Sequence, residues 1–255
     1  MPYFNGYLKP LLNAVNSVRG VSWVYVRSAG ALILALGLNS AMAITSSQAV
    51  DAKHSSAKLP ARASVVPASE GAHRIVILGD SISAEYGVKR GMGWVSLLTQ
   101  RLAQQKIPAT VTNASISGDT TSGGVSRVPS LLKQHQPDVL VIELGGNDAL
   151  RGFPLKTSEN NLTQMVAACH KVKAAVLLLG MQVPPNYGQE YAQEFSRMFV
   201  RISQQQRTQL VPFLLKGVAD ATDPTALFQP DRIHPKAEAH PIILRNVWPV
   251  LKRML

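Results

Sequence analysis

The stretch Arg74-Ile75-Val76-Ile77-Leu78-Gly79-Asp80-Ser81-Ile82-Ser83 constrains the chain more than any other. Its apolar run is short, continuous, rich in β-branched residues and closed by a glycine. These features predict a strand buried on both faces. A serine just past the carboxyl end of such a strand stands where open α/β sheets place their ligands. A helix beginning next would set free N–H groups and a positive dipole end beside the Ser81 hydroxyl. The competing reading makes Ser81 a helix cap or a turn residue.

Apolar runs recur downstream, with helical periodicity between them. The expected helices lie around 94–102, at 122–135, within 158–173, at 189–206 and at 236–253. The expected strands are 110–114, 138–144, 175–180 and 210–215, with Pro212 marking the last as an edge or a bulge. Strands alternating with helices give βαβ units and a parallel sheet with right-handed crossovers. The fold class is therefore α/β, a three-layer α/β/α sandwich on a central parallel sheet of about five strands.

Residues 1–27 hold Lys9, Arg19 and Arg27 and no acid. An apolar segment, Ala31–Leu38, and then Ala41-Met42-Ala43 follow. This is the pattern of a secretory signal peptide over residues 1–43, cleaved after Ala43. A retained N-terminal anchor is the alternative. Residues 44–72 are rich in Ser, Ala and Pro without apolar period and read as a disordered linker, so the folded domain spans 73–255. Export places the domain in the periplasm or outside the cell. The formal charge of +11 falls to +8 when three of the 26 basic residues leave with the signal segment. The cations are scattered and form no run, which argues against nucleic acid and leaves peripheral contact with membrane lipid open. The lone Cys169 excludes an internal disulfide and, in its helix-like apolar setting, reads as a small buried hydrophobe.

Polar clusters close the first three strands, and one more follows the fifth by way of a loop. Hydrolysis by acyl transfer needs a nucleophile, a base, a group that orients the base, and donors for the oxyanion. Ser81 is the candidate nucleophile and His234 the base. Asp231, three residues earlier, is placed to set the imidazole tautomer. Pro235 biases His234 toward extended backbone. The candidate oxyanion donors are the Ser81 N–H, the Gly118 N–H and the Asn147 amide. Singly, Gly118 reads as a turn glycine, Asn147 as an Asx-turn residue, His234 as a loop residue and Asp231 as a cap. All must hold at successive strand ends for that reading to stand.

The blocks Gly79-Asp80-Ser81-Ile82-Ser83, Asn113-Ala114-Ser115-Ile116-Ser117-Gly118-Asp119-Thr120, Glu143-Leu144-Gly145-Gly146-Asn147-Asp148 and Asp231-Arg232-Ile233-His234-Pro235 resemble those of the SGNH/GDSL hydrolases. The closest likeness is to the periplasmic branch with thioesterase, lysophospholipase and arylesterase activities. The resemblance implies a flavodoxin-like SGNH fold, no metal or organic cofactor, and hydrolysis of small-molecule acyl esters and thioesters. The sequence leaves the oligomeric state open, with a monomer the favoured expectation. It supports Ser81, Asp231 and His234 as the triad and Ser81, Gly118 and Asn147 as the oxyanion set. Leu150, Phe153 and Leu155 are candidate acyl-binding residues. Arg232 stands where that branch often has glycine, so a charged side chain borders the site. A carbohydrate O-acetyl esterase and a non-catalytic envelope lipid-binding protein are the competing functions.

Overall fold

The computed structural model describes residues 71–223 and 225–255. The expected signal segment and nearly all of the expected linker lie outside the described residues. Five strands, β1 (His73–Gly79), β2 (Ala109–Asn113), β3 (Val139–Glu143), β4 (Ala175–Leu179) and β5 (Gln209–Val211), form one sheet in the order β2-β1-β3-β4-β5. Every neighbouring pair is parallel. The helices between them are α1 (Trp94–Gln104), α2 (Thr121–His135), α3 (Gly146–Leu150), α4 (Leu155–Lys171), α5 (Gln189–Gln205) and α6 (His240–Lys252).

Helices cover both faces of the sheet, which is why β1, β3 and β4 read as unbroken apolar runs. On one face α1 packs on α6, and on the other α2 packs on α4 and α4 on α5. Each of the five longer helices buries a stripe at three- and four-residue spacing. Trp94, Leu98 and Leu102 of α1 are buried, as are Phe195, Met198, Phe199 and Ile202 of α5. Between α2 and α4 the approach is close: a Cβ on Gly124 would stand 2.5 Å from Leu144 Cδ1 and 2.7 Å from Met165 Sδ. Cys169 is buried in this core, and burial pushes its thiol up to about 12.

The chain leaves β1 toward β2 on one side and returns to place β3 on the other. The carboxyl ends of β1 and β3 therefore flank the switch point of the sheet, where a crevice opens in folds of this class. His240 ties the first and last helices together beneath it. Its Nδ1 accepts the Trp94 N–H at the start of α1 (3.1 Å). Burial lowers the imidazole pKa, against the pull of Glu85, and so favours the neutral acceptor form.

Several elements differ from the sequence expectation. No regular helix follows Ser81 directly; residues 81–87 form consecutive turns, so no helix of this connection begins beside its hydroxyl. The fifth strand stops at Val211, not at residue 215, because Pro212 cannot donate to a ladder. Leu214 and Leu215 are nonetheless buried. The last helix starts at His240, preceded by a short 3₁₀ turn over Ala237–Ala239. A short helix, α3, begins directly at Gly146, where only a polar strand end was expected.

Leu140 lies fully buried in β3, the central strand. Leu140→Ala is expected to lower the unfolding free energy in urea by about 2–5 kcal/mol. A loss below about 1 kcal/mol would contradict this account of the core.

Candidate active site

Gly79 ends β1 opposite Glu143, the last residue of β3. The next residues turn sharply: the Asp80 carbonyl accepts the Ala84 N–H (2.9 Å) and the Ser81 carbonyl the Tyr86 N–H (3.1 Å). Asp80 Oδ1 accepts the Ile82 N–H (3.0 Å). This turn presents the Ser81 hydroxyl at the rim of the sheet.

A buried carboxyl group braces the turn from beneath. Glu143 Oε2 accepts the Asp80 N–H (3.2 Å) and the Ser83 hydroxyl (2.8 Å). The Trp94 indole N–H donates in turn to Ser83 Oγ (3.1 Å). Glu143 Oε1 is buried without a partner among the described residues. Burial raises the pKa of Glu143 well above the usual carboxylate range, and the neighbouring Asp80 adds to the rise. Burial likewise pushes Asp80 up to about 6, against its hydrogen bonds. In the sequence Glu143 opens the third polar block without a role of its own, because a single acid at the end of an apolar strand carries no periodic signal.

The loop after β5 brings the other partners. His234 Nε2 lies 2.9 Å from Ser81 Oγ, and His234 Nδ1 lies 2.7 Å from Asp231 Oδ2. Asp231 Oδ1 also accepts the N–H groups of Ile233 (2.9 Å) and His234 (3.0 Å). Partial desolvation pushes the Asp231 pKa up. The backbone N–H groups of His234 and Ile233 and the imidazole outweigh it and bring it down to about 2. Arg232 sits between them in left-handed backbone, at φ +59°.

Gln229 ties this loop to the Ser81 turn. Its N–H donates to the His234 carbonyl (2.8 Å), and its Nε2 donates to the carbonyls of Tyr86 and Pro235 (3.0 Å each). A Cβ on Gly87 would fall 2.1 Å from Gln229 Oε1, so only glycine leaves room for the tie. The Tyr86 ring lies 4.4 Å from the His234 ring, centroid to centroid. Nothing in the sequence pattern marked Gln229 or Tyr86, since their roles arise only when distant segments meet.

Gly118 follows β2 with φ +79°, a left-handed backbone that favours glycine. Its carbonyl accepts from Arg151 Nη2 (2.9 Å). The N–H groups of Ser81 and Gly118 donate to no protein group among the described residues. Asn147, in the first turn of α3, donates through Nδ2 to Asp80 Oδ2 (2.9 Å) and to the Asp119 carbonyl (3.0 Å). The adjacent Asp148 is buried and holds α2 and α4 together, accepting from the Thr121 N–H (2.9 Å) and the Ser158 hydroxyl (3.1 Å). Thus Ser81, Asp231 and His234 are joined in one relay. Asn147 reaches the same turn through Asp80, and the Gly118 loop meets Asn147 through the Asp119 carbonyl. Leu150, the last residue of α3, and Phe153 just beyond it are exposed, whereas Leu155 packs partly against the core.

Among the described residues, no group of three or more His, Cys, Asp or Glu is arranged to hold a metal ion. The arrangement offers instead a hydroxyl in proton-transfer reach of an imidazole whose other nitrogen faces a carboxylate.

The model of the GDSL-like lipase/acylhydrolase family matches residues 77–242. The chain belongs to this family. It is 47% identical to esterase TesA of Pseudomonas aeruginosa over 184 residues, 72% of this chain and 90% of that protein. It is 39% identical to thioesterase 1/protease 1/lysophospholipase L1 of Escherichia coli over 172 residues, 68% of this chain and 80% of that protein. The crystal structure of TesA superposes with a TM-score of 0.69 at 46% identity, covering 72% of this chain and all (100%) of the other.

The carboxyl pair beneath the Ser81 turn gives the fold a pH dependence. Both carboxyls hold protons more tightly when folded, so stability falls as pH rises from about 4 through 6. Glu143→Gln keeps an acceptor for Ser83 and removes a titrating partner. Its urea midpoint is expected to vary less between pH 4 and 7 than the parent's. An unchanged profile would contradict this assignment.

Proposed function

We propose that this protein hydrolyses carboxylic esters and thioesters of acyl chains through an acyl-enzyme on Ser81. The observation that carries the reading is the relay Asp231–His234–Ser81, with contacts of 2.7 and 2.9 Å. His234 Nδ1–H donates to Asp231, which leaves Nε2 as the acceptor of the Ser81 proton. The Ser81 oxygen attacks the acyl carbon as His234 takes that proton. The resulting oxyanion is held by the N–H groups of Ser81 and Gly118 and by Asn147 Nδ2, which exchanges its bond to the Asp119 carbonyl for the substrate oxygen. Collapse expels the alcohol or thiol, protonated by His234. A water activated by the same imidazole then attacks the acyl-enzyme, and the carboxylic acid leaves with Ser81 restored.

Leu150 and Phe153 offer apolar surface beside the oxyanion donors, and Leu155 backs them from the core. This suits an acyl chain. The names of the relatives, an esterase and a thioesterase/lysophospholipase, support ester and thioester substrates alike. Ser81→Ala should lower kcat for p-nitrophenyl butyrate about 10⁴-fold or more. Asn147→Ala should lower it about 10²–10³-fold with a smaller change in KM. Undiminished turnover in Ser81→Ala would overturn the proposal. A series from acetyl to octanoyl esters separates this reading from an O-acetyl esterase, whose rate would collapse beyond acetyl.

We further place the secretory address over residues 1–43, the linker over 44–72 and the hydrolase domain over 73–255, and infer an exported enzyme. The basic, apolar, Ala-x-Ala order supports this. N-terminal sequencing of the exported protein should begin at Ile44. An intact Met1 on that protein would contradict cleavage.

A further inference from the structure

In a parallel sheet, helix carboxyl ends and strand starts share one pole, opposite the strand ends that present Ser81. Residues 101–110, 131–138, 168–175 and 203–209 run through that pole. The carboxyl end of α6 joins it, because Lys252 Nζ donates to Gln105 Oε1 (3.1 Å). Lys106, Lys133, Lys171, Lys173, Arg207 and Lys252 are all exposed there. The same segments contain one acidic residue, Asp138, and Arg74 already pairs with it (2.9 Å). Among the described residues, none of these exposed cations has a carboxylate within ion-pair reach.

A helix carboxyl end favours a cation, which accounts for each side chain singly. It does not account for Val172, which is 56% exposed between Lys171 and Lys173. Nor does it account for Lys106, Lys173 and Arg207, which all take up left-handed backbone (φ +53°, +62° and +51°) where glycine is the common choice.

We propose that this pole docks on an anionic phospholipid surface. The sheet alone is roughly 20 Å wide at five strands, broad enough to set cations from separate loops against one plane of headgroups. Val172 then enters the interface between its flanking lysines. Nucleic acid is the poorer match, since single strands are held by open aromatic faces. The indole at this pole, Trp248, is engaged by its own chain, with Arg101 Cζ and Lys252 Nζ each 5.7 Å from the ring. Docking in this way turns the Ser81 rim toward water. The inference stands independently of the proposed hydrolysis.

The test is co-sedimentation of the full chain with phosphatidylcholine vesicles with and without phosphatidylglycerol. Binding should need the anionic lipid and be lost in high salt. Lys106→Glu/Lys173→Glu/Arg207→Glu should weaken it about a hundredfold. Lys156→Glu/Arg197→Glu/Lys216→Glu, with the same net charge but changed elsewhere, should stay within about threefold. Both variants should keep the parent's far- and near-ultraviolet circular dichroism spectra, which verifies folding. If the reversal variant misfolds, the milder Lys106→Gln/Lys173→Gln/Arg207→Gln should still weaken binding more than tenfold. Equal losses in the pole and control variants, equal binding to neutral vesicles, or displacement from vesicles by duplex DNA at equal phosphate would each overturn the proposal.

Discussion

Gly79 faces Glu143 across the parallel ladder of β1 and β3, and the rim of the sheet is organised by that contact. A side chain on Gly79 would stand 2.7 Å from both Glu143 Oε2 and Ser83 Oγ, so the two strands could not close around the acid. With glycine there, a buried carboxyl group accepts from the Asp80 backbone and the Ser83 hydroxyl and holds the turn that carries Ser81. Asp80 then extends the brace sideways to the Asn147 amide (2.9 Å). A group that is expensive to bury is retained because its hydrogen bonds hold both the Ser81 turn and an oxyanion candidate in place.

The second half of the site depends on a long loop, and such loops move unless tied down. This one is tied at several points. Phe228 and Pro235 form an isolated bridge, Lys236 N–H reaches the Leu227 carbonyl (2.8 Å), and Gln229 links the loop to Tyr86. Asp231 organises the tip by accepting two backbone N–H groups and the imidazole. The relay is therefore preorganised by backbone contacts and does not rely on long side chains finding one another.

Much of this was legible in the residues. The β-branched runs and the helical spacing of Trp94, Leu98 and Leu102 gave the alternating pattern, and the polar blocks at strand ends gave the triad candidates. Other parts arise from tertiary contact alone. Gln229 is an ordinary amide until Gly87 leaves it room. Glu143 looks like any strand-end acid until β1 closes over it. Pro212 announced trouble in the fifth strand, but not that Leu214 and Leu215 would fill the core without being in a strand. The cations that gather at the far pole are spaced along the chain by the length of a βα unit, so no window along the sequence shows a charged run.

The central claim is that Ser81 is the one activated hydroxyl, made so by His234. A biotinylated fluorophosphonate followed by peptide mass spectrometry tests it most directly. The account predicts a single adduct on the peptide carrying Ser81, with labelling abolished or slowed by orders of magnitude in His234→Ala. An adduct on another residue, or labelling of Ser81 at the same rate without His234, would contradict it.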